Sequence, residues 1–189
     1  MQYLYQFLLR VFRRTEQLLQ TDKDTDDSLY TKKLYFLASA GAFIAVSGLT
    51  LLAALLRLPI LTTYGISILV FYLISLAAFI RLKKYAELFY AVNQIYILLA
   101  TFVTILRLGG LLYSGGLLFV GLTAVIFSVA LTNYRITLVT VVLYATTLLA
   151  EGILQPLLTP AAELTPKLNL IFVVLNAFWI SGFILLIIH

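Results

Sequence analysis

Six long apolar runs, separated by short connectors that carry most of the charge, leave this chain little sequence for anything outside a membrane. They cover 34–56, 60–80, 88–106, 117–131, 136–154 and 168–188. A helix needs roughly 20 residues to cross a bilayer, and most of the runs come close to that length. The fourth is short. Extending it back to Leu111 takes it through Ser114-Gly115-Gly116, and those glycines serve equally well as a loop that dips below the headgroups.

The sequence therefore predicts an all-α fold: a polytopic integral membrane bundle of six transmembrane helices, 34–56, 60–80, 88–106, 111–131, 136–154 and 168–188. An amphipathic interfacial helix over 1–20 and a polar linker over 21–33 precede it. A hydrophobic fraction of 62%, a mean hydropathy of +1.05 and 11% charged residues exclude a soluble domain, whose charged share is about 25%. The spans consume the 189 residues, so any chemistry happens within or beside the bundle.

A net charge of +5 suggests nucleic acid in a soluble protein, but here the cations sort by side of the membrane. Arg10, Arg13, Arg14, Lys23, Lys32, Lys33, Arg81, Lys83, Lys84 and Arg135 fall on one side, and Arg57, Arg107 and Lys167 on the other. This asymmetry is the positive-inside signal. It places both termini in the cytoplasm, argues for the inner (cytoplasmic) membrane of a bacterium, and makes membrane lipids rather than nucleic acid the partner. The chain has no cysteine, which removes disulfides, thiolate metal sites and palmitoylation.

In the N-terminal segment, Leu4, Phe7, Leu8, Val11, Phe12, Leu18 and Leu19 share a helical face, with Gln6, Arg10, Arg13, Arg14 and Gln17 largely opposite. The arginines interrupt what a signal peptide would need, so the segment reads as retained and lying on the cytoplasmic surface. The Asp22–Ser28 stretch has helix-start chemistry and lacks the Gly turn and distal Glu of a calcium loop. Lys32 and Lys33 then anchor the first span at the interface. Connectors as short as Arg57-Leu58-Pro59 and Thr132–Arg135 predict up-down hairpins with sequential neighbours. The roomy connector Gln155–Lys167, stiffened by Pro156, Pro160 and Pro166, is placed to cap the outer mouth.

Polar groups inside apolar runs are the informative exceptions, because ionisable groups in hydrocarbon are costly unless paired or hydrated. Glu151 is the only carboxylate in a predicted span. Near the outer end, it reads as an interfacial side chain reaching water, or else as a ligand-binding group paired with Arg107 or Lys167. Asn93, Gln94, Asn169, Asn176 and several threonines serve as interhelical glue at about 0.6–2 kcal/mol each, or line a cavity. Tyr30, Tyr35, Tyr85 and Tyr134 read as an inner aromatic belt, and Tyr64 and Tyr113 as an outer one. Tyr72, Tyr90, Tyr96, Tyr144 and Trp179 lie deeper and need partners. The pocket candidates are accordingly Asn93, Gln94, Tyr96, Tyr144, Glu151, Asn176 and Trp179. Lipid, quinone, carotenoid or another pigment suits such a lining. The lone His189 carries no metal set, and no catalytic constellation is present, so an enzyme is not expected. One buried carboxylate argues against ion-coupled transport, and Gly pairs at span ends read as turns or close packing before a channel filter.

Three stretches carry a family resemblance: 26–34 entering the first span, the turn from Gly109-Gly110 to Gly115-Gly116, and 148–156 closing the fifth. In these the chain resembles the six-helix N-terminal membrane region of bacterial sensor histidine kinases and related cyclases. The resemblance implies a non-catalytic input module whose last span leads to a cytoplasmic output domain, and it supplies no catalytic residue. The alternative expectation is an accessory subunit of a larger respiratory or photosynthetic membrane complex, docked on other integral membrane subunits. Ala38, Gly41, Ala45 and Gly48 would offer that subunit a small-residue stripe.

Overall fold

Helix-start chemistry sets the first boundary. In a computed structural model, which describes residues 15, 17–21 and 25–188 with side chains to Gly182, Thr25 caps the first helix by accepting 3.3 Å from the Ser28 amide. Asp26 and Asp27 occupy its first turn, where the helix dipole favours negative charge. The helix thus begins at Asp26, ahead of the apolar run at Leu34, and residues assigned to the linker are helical. Most of the interfacial helix expected over 1–20, and His189, lie outside the described residues.

Among the described residues from Asp26 onward, six α-helices follow one another: α1 (Asp26–Leu55), α2 (Pro59–Arg81), α3 (Ala86–Leu108), α4 (Leu117–Leu131), α5 (Tyr134–Leu154) and α6 (Pro166–Ile188). Short 3-10 turns occupy Lys83–Tyr85, Leu111–Tyr113 and Gln155–Leu157, and no strand occurs among the described residues. Pro59 opens α2 at a position where its missing N–H costs nothing. Asn133 caps α5, accepting 3.1 Å from the Ile136 amide. Gly109 ends α3 in the left-handed region at φ 100°. Gly115 and Gly116 also have positive φ, so residues 109–116 form a turn and α4 starts only at Leu117.

Asp26–Leu55, Pro59–Arg81, Lys83–Leu108 and Tyr134–Leu157 are long and apolar enough to cross a membrane, which marks a multi-pass membrane protein. Leu117–Leu131 and the Pro166–Gly182 part of α6 are shorter apolar helices. At 15 residues α4 spans about 22 Å, less than a hydrocarbon core of about 30 Å. Ile44, Leu55, Ile74, Ile153 and Phe178 project from the outside of the bundle, an arrangement suited to lipid rather than water.

α1 packs on α2, α2 on α3, and α3, α4 and α5 on one another. α6 finds its closest backbone neighbour in α4, not in α5 as the hairpin expectation had it. The connector between them explains why. It crosses the end of the bundle, where the Ala161 amide donates 3.0 Å to the Leu108 carbonyl and Leu164 is buried beside Leu58 and Leu61. That end, with Arg57 and Arg107, is the proline-loop end; the opposite, with Lys32, Arg81, Lys83, Lys84 and Arg135, is the lysine-rich end. Three apolar clusters mark successive levels: Tyr35, Phe79, Tyr90 and Phe127 at the lysine-rich end, Ile68, Ile97, Leu98 and Ala124 midway, and Ala53, Leu61, Leu108 and Phe172 at the proline-loop end.

Candidate functional site

Because α1 is held by α2, and α6 by α4, a cavity of about 80 Å³ remains between the two pairs, with α3 at its back. Apolar side chains dominate its wall. Its hydroxyls from α1, α4 and the Tyr64 level of α2 have partners: Thr50 donates 2.6 Å to the Val46 carbonyl, Thr123 donates 2.5 Å to Val120, and Tyr64 shares a 2.9 Å bond with Thr101. Asn176 turns its amide nitrogen to the Gly115 carbonyl at 2.8 Å. What the wall offers a guest is therefore shape and apolar contact, with Phe127 and Trp179 toward the lysine-rich end.

At that end the cavity adjoins a chamber of about 20 Å³ bordered by Tyr35, Ser39, Tyr72, Asn93 and Gln94. Asn93 is 1% exposed, and the two hydrogens of its amide nitrogen are shared among the Tyr35 hydroxyl, Ser75 Oγ at 2.7 Å and the Phe89 carbonyl at 2.8 Å. The Phe89 carbonyl can only accept, so it fixes the orientation of the amide. Asn93 Oδ1 is then left buried with no partner, as is Gln94 Oε1 beside it. On the other flank a groove of about 210 Å³ opens between α1 and α2 along Ser39, Phe43, Ile44 and Leu73. Tyr72 borders groove, chamber and cavity alike.

Glu151 lies elsewhere. It faces a space of about 10 Å³ among α3, α4 and α5, next to Tyr144, whose hydroxyl donates 3.2 Å to the Leu118 carbonyl. The Glu151 side chain is 2% exposed and its Oε2 has no partner, whereas Arg107 and Lys167 point outward. The interfacial reading, in which this carboxylate reaches water, does not describe its placement: its helical phase turns it into the bundle.

The candidates from the sequence thus separate. Asn93, Gln94, Asn176 and Trp179 meet around the cavity and its chamber, Tyr144 and Glu151 share the smaller space, and Tyr96 belongs to neither. Tyr96 stacks on Phe71 at 3.7 Å and donates 3.2 Å to the Ser67 carbonyl. Sequence reasoning missed Tyr35 and Tyr64 by placing them in the belts. The signal for Tyr35 was its helical spacing with Ala38 and Ala42, both buried, while Gly41 and Gly48 of the small-residue stripe meet nothing within 4 Å.

It also missed Glu163, whose carboxylate accepts 2.5 Å from the Ile60 amide and so caps α2 from the connector. Gln155 donates 3.1 Å to the Gly109 carbonyl from the same connector. The glycine turn is held by α6: Asn169 accepts 2.7 Å from the Gly115 amide and donates 3.0 Å to Leu112, and Asn176 takes the Gly115 carbonyl. Together these contacts tie the connector to α2 and α3, and the glycine turn to α6, at the proline-loop end.

Among the described residues no group of three or more His, Cys, Asp or Glu is placed to hold a metal ion. The chain matches no family model, no curated protein and no solved structure.

Proposed function

We propose that this chain is a non-catalytic sensory input module of a bacterial inner membrane. All six helices cross, with both termini in the cytoplasm, and a small apolar guest from the bilayer occupies the central cavity. One observation carries the reading: the cavity separates α1 from α6, and the start of α1 and the end of α6 both face the lysine-rich end. A guest that changes their spacing changes the geometry delivered to the cytoplasm, where an output domain would receive it. Occupancy biases the packing only as far as the guest prefers one spacing over the other.

The size of the cavity favours a slim guest over a broad pigment, since at about 80 Å³ it is roughly half the volume of an apolar cavity of about 150 Å³ that holds benzene. A second reading, the accessory subunit of a larger complex, draws on α5, whose apolar span is only 17% buried and leaves a face for a neighbouring membrane protein. Extraction from native membranes in mild detergent, with intact-mass analysis of co-purifying chains, separates the two. A docked or fused cytoplasmic signalling protein is the expected result. A fixed ratio with electron-transfer or pigment proteins would remove the sensor reading.

A further inference from the structure

We propose that the guest is an apolar molecule ending in a hydroxyl group, with that hydroxyl held in the chamber by Asn93 and Gln94 and its chain running past Tyr72 into the central cavity. This rests on reading the cavity as a ligand site and specifies the ligand's chemistry. The Asn93 amide oxygen is the reason, and Gln94, whose amide can turn, is the second polar group in the chamber. Asn93 and Gln94 are both more than nine-tenths buried, and Asn93 Oδ1 and Gln94 Oε1 are acceptors without donors. Leaving them so is costly in a low-dielectric interior.

A ligand that only accepts hydrogen bonds, such as a ketone or an oxidised quinone, cannot answer Asn93 Oδ1, because the Phe89 carbonyl keeps the nitrogen of that amide on the other side. A hydroxyl can: it donates to Asn93 Oδ1, and the Gln94 amide turns to give its N–H to the hydroxyl oxygen. Straight-chain alcohols combine this chemistry with the slim shape that a cavity of about 80 Å³ admits. Asn93 lies seven residues into α3 from Ala86, about 10 Å along the helix, a depth at which an alcohol anchored by its head can lay its tail toward the middle of the bundle. The groove between α1 and α2 supplies the lateral route, with the Tyr72 ring at the junction that the chain must pass.

The chain's single tryptophan, Trp179, lines the cavity and reports occupancy directly. Protein in phosphatidylcholine nanodiscs is titrated with 6-bromohexan-1-ol and with the bromohexane that lacks its hydroxyl, both short enough for the chamber and cavity, and the bromine quenches Trp179 on contact. The expected result is saturable quenching by both, with the alcohol bound about tenfold more tightly. Gln94→Leu then reduces that preference to about twofold. It is the informative variant, because Asn93→Leu also removes the bonds to Tyr35 and Ser75 and can fail to fold. Saturable quenching with equal midpoints, the outcome if an ordered water fills the chamber, overturns the hydroxyl assignment and leaves the cavity reading standing. Quenching that rises linearly without saturation overturns both.

Discussion

Gly109 and Gly41 show how differently one residue type is constrained in this chain. A Cβ on Gly109 would sit 2.5 Å from Pro160 Cα and 2.7 Å from the Thr159 carbonyl oxygen, and its φ of 100° already disfavours any side chain. Both obstacles are backbone, with no flexible end to move aside. Gly109→Ala should therefore cost about 1–3 kcal/mol, read as a lower melting temperature in detergent. Gly41 lies within a helix with nothing near it, so Gly41→Ala should stabilise by about 0.5–1 kcal/mol in the same assay. Glu151 supplies a third comparison. Replacing a buried acceptor that lacks a partner by an apolar chain of similar length removes a desolvation penalty, so Glu151→Met should raise stability by about 1–3 kcal/mol. A loss of stability would instead mean that the carboxyl has a partner which its surroundings do not reveal. The sequence marked Glu151, Asn93 and Gln94 because polar groups in apolar runs stand out. Which way each one turns depends on helical phase against neighbours that are distant in sequence, and for Glu151 near a helix end the inward and outward readings look alike.

Single elements were legible where their ends carry local chemistry. The Thr25-Asp26-Asp27 start of α1, Pro59 of α2 and Asn133 of α5 act within a few residues of themselves. The fourth span was not, because Ser114-Gly115-Gly116 permits both a helix and a turn, and what decides is Asn169 and Asn176 on α6, more than fifty residues away. The partner of α6 was equally hidden: the connector from Gln155 to Thr165 holds eleven residues, a reach of about 36 Å when extended, which allows α6 to bypass α5 and dock on α4. Those two asparagines make the docking testable. At about 0.6–2 kcal/mol per interhelical bond, the Asn169→Leu, Asn176→Leu double variant, which removes three, should lower stability by about 2–6 kcal/mol. It should also make the Gln155–Thr165 connector more open to limited proteolysis. Unchanged cleavage would show that α6 is held by its apolar contacts alone.

At the scale of the whole molecule, the number of crossings turns on α4, the 15-residue helix. The absence of cysteine makes the experiment clean: a single cysteine at Tyr113 or at Asn133, both exposed, brackets that helix. With six crossings an impermeant maleimide labels Tyr113→Cys from the outside of intact cells and Asn133→Cys only after lysis. Labelling of both from one side would reduce the count. The all-helical, multi-pass class was written in apolar run length, which is a local property; the number of crossings was not, and nor was the cavity, because five helices from both halves of the chain wall it. The cap that Glu163 places on Ile60 reaches across 103 positions of sequence. On the ribosome α2 therefore enters the membrane long before its carboxylate cap exists. Its first amide waits through the synthesis of three more helices, so the capping of α2 is a late tertiary event and not part of that helix's own insertion.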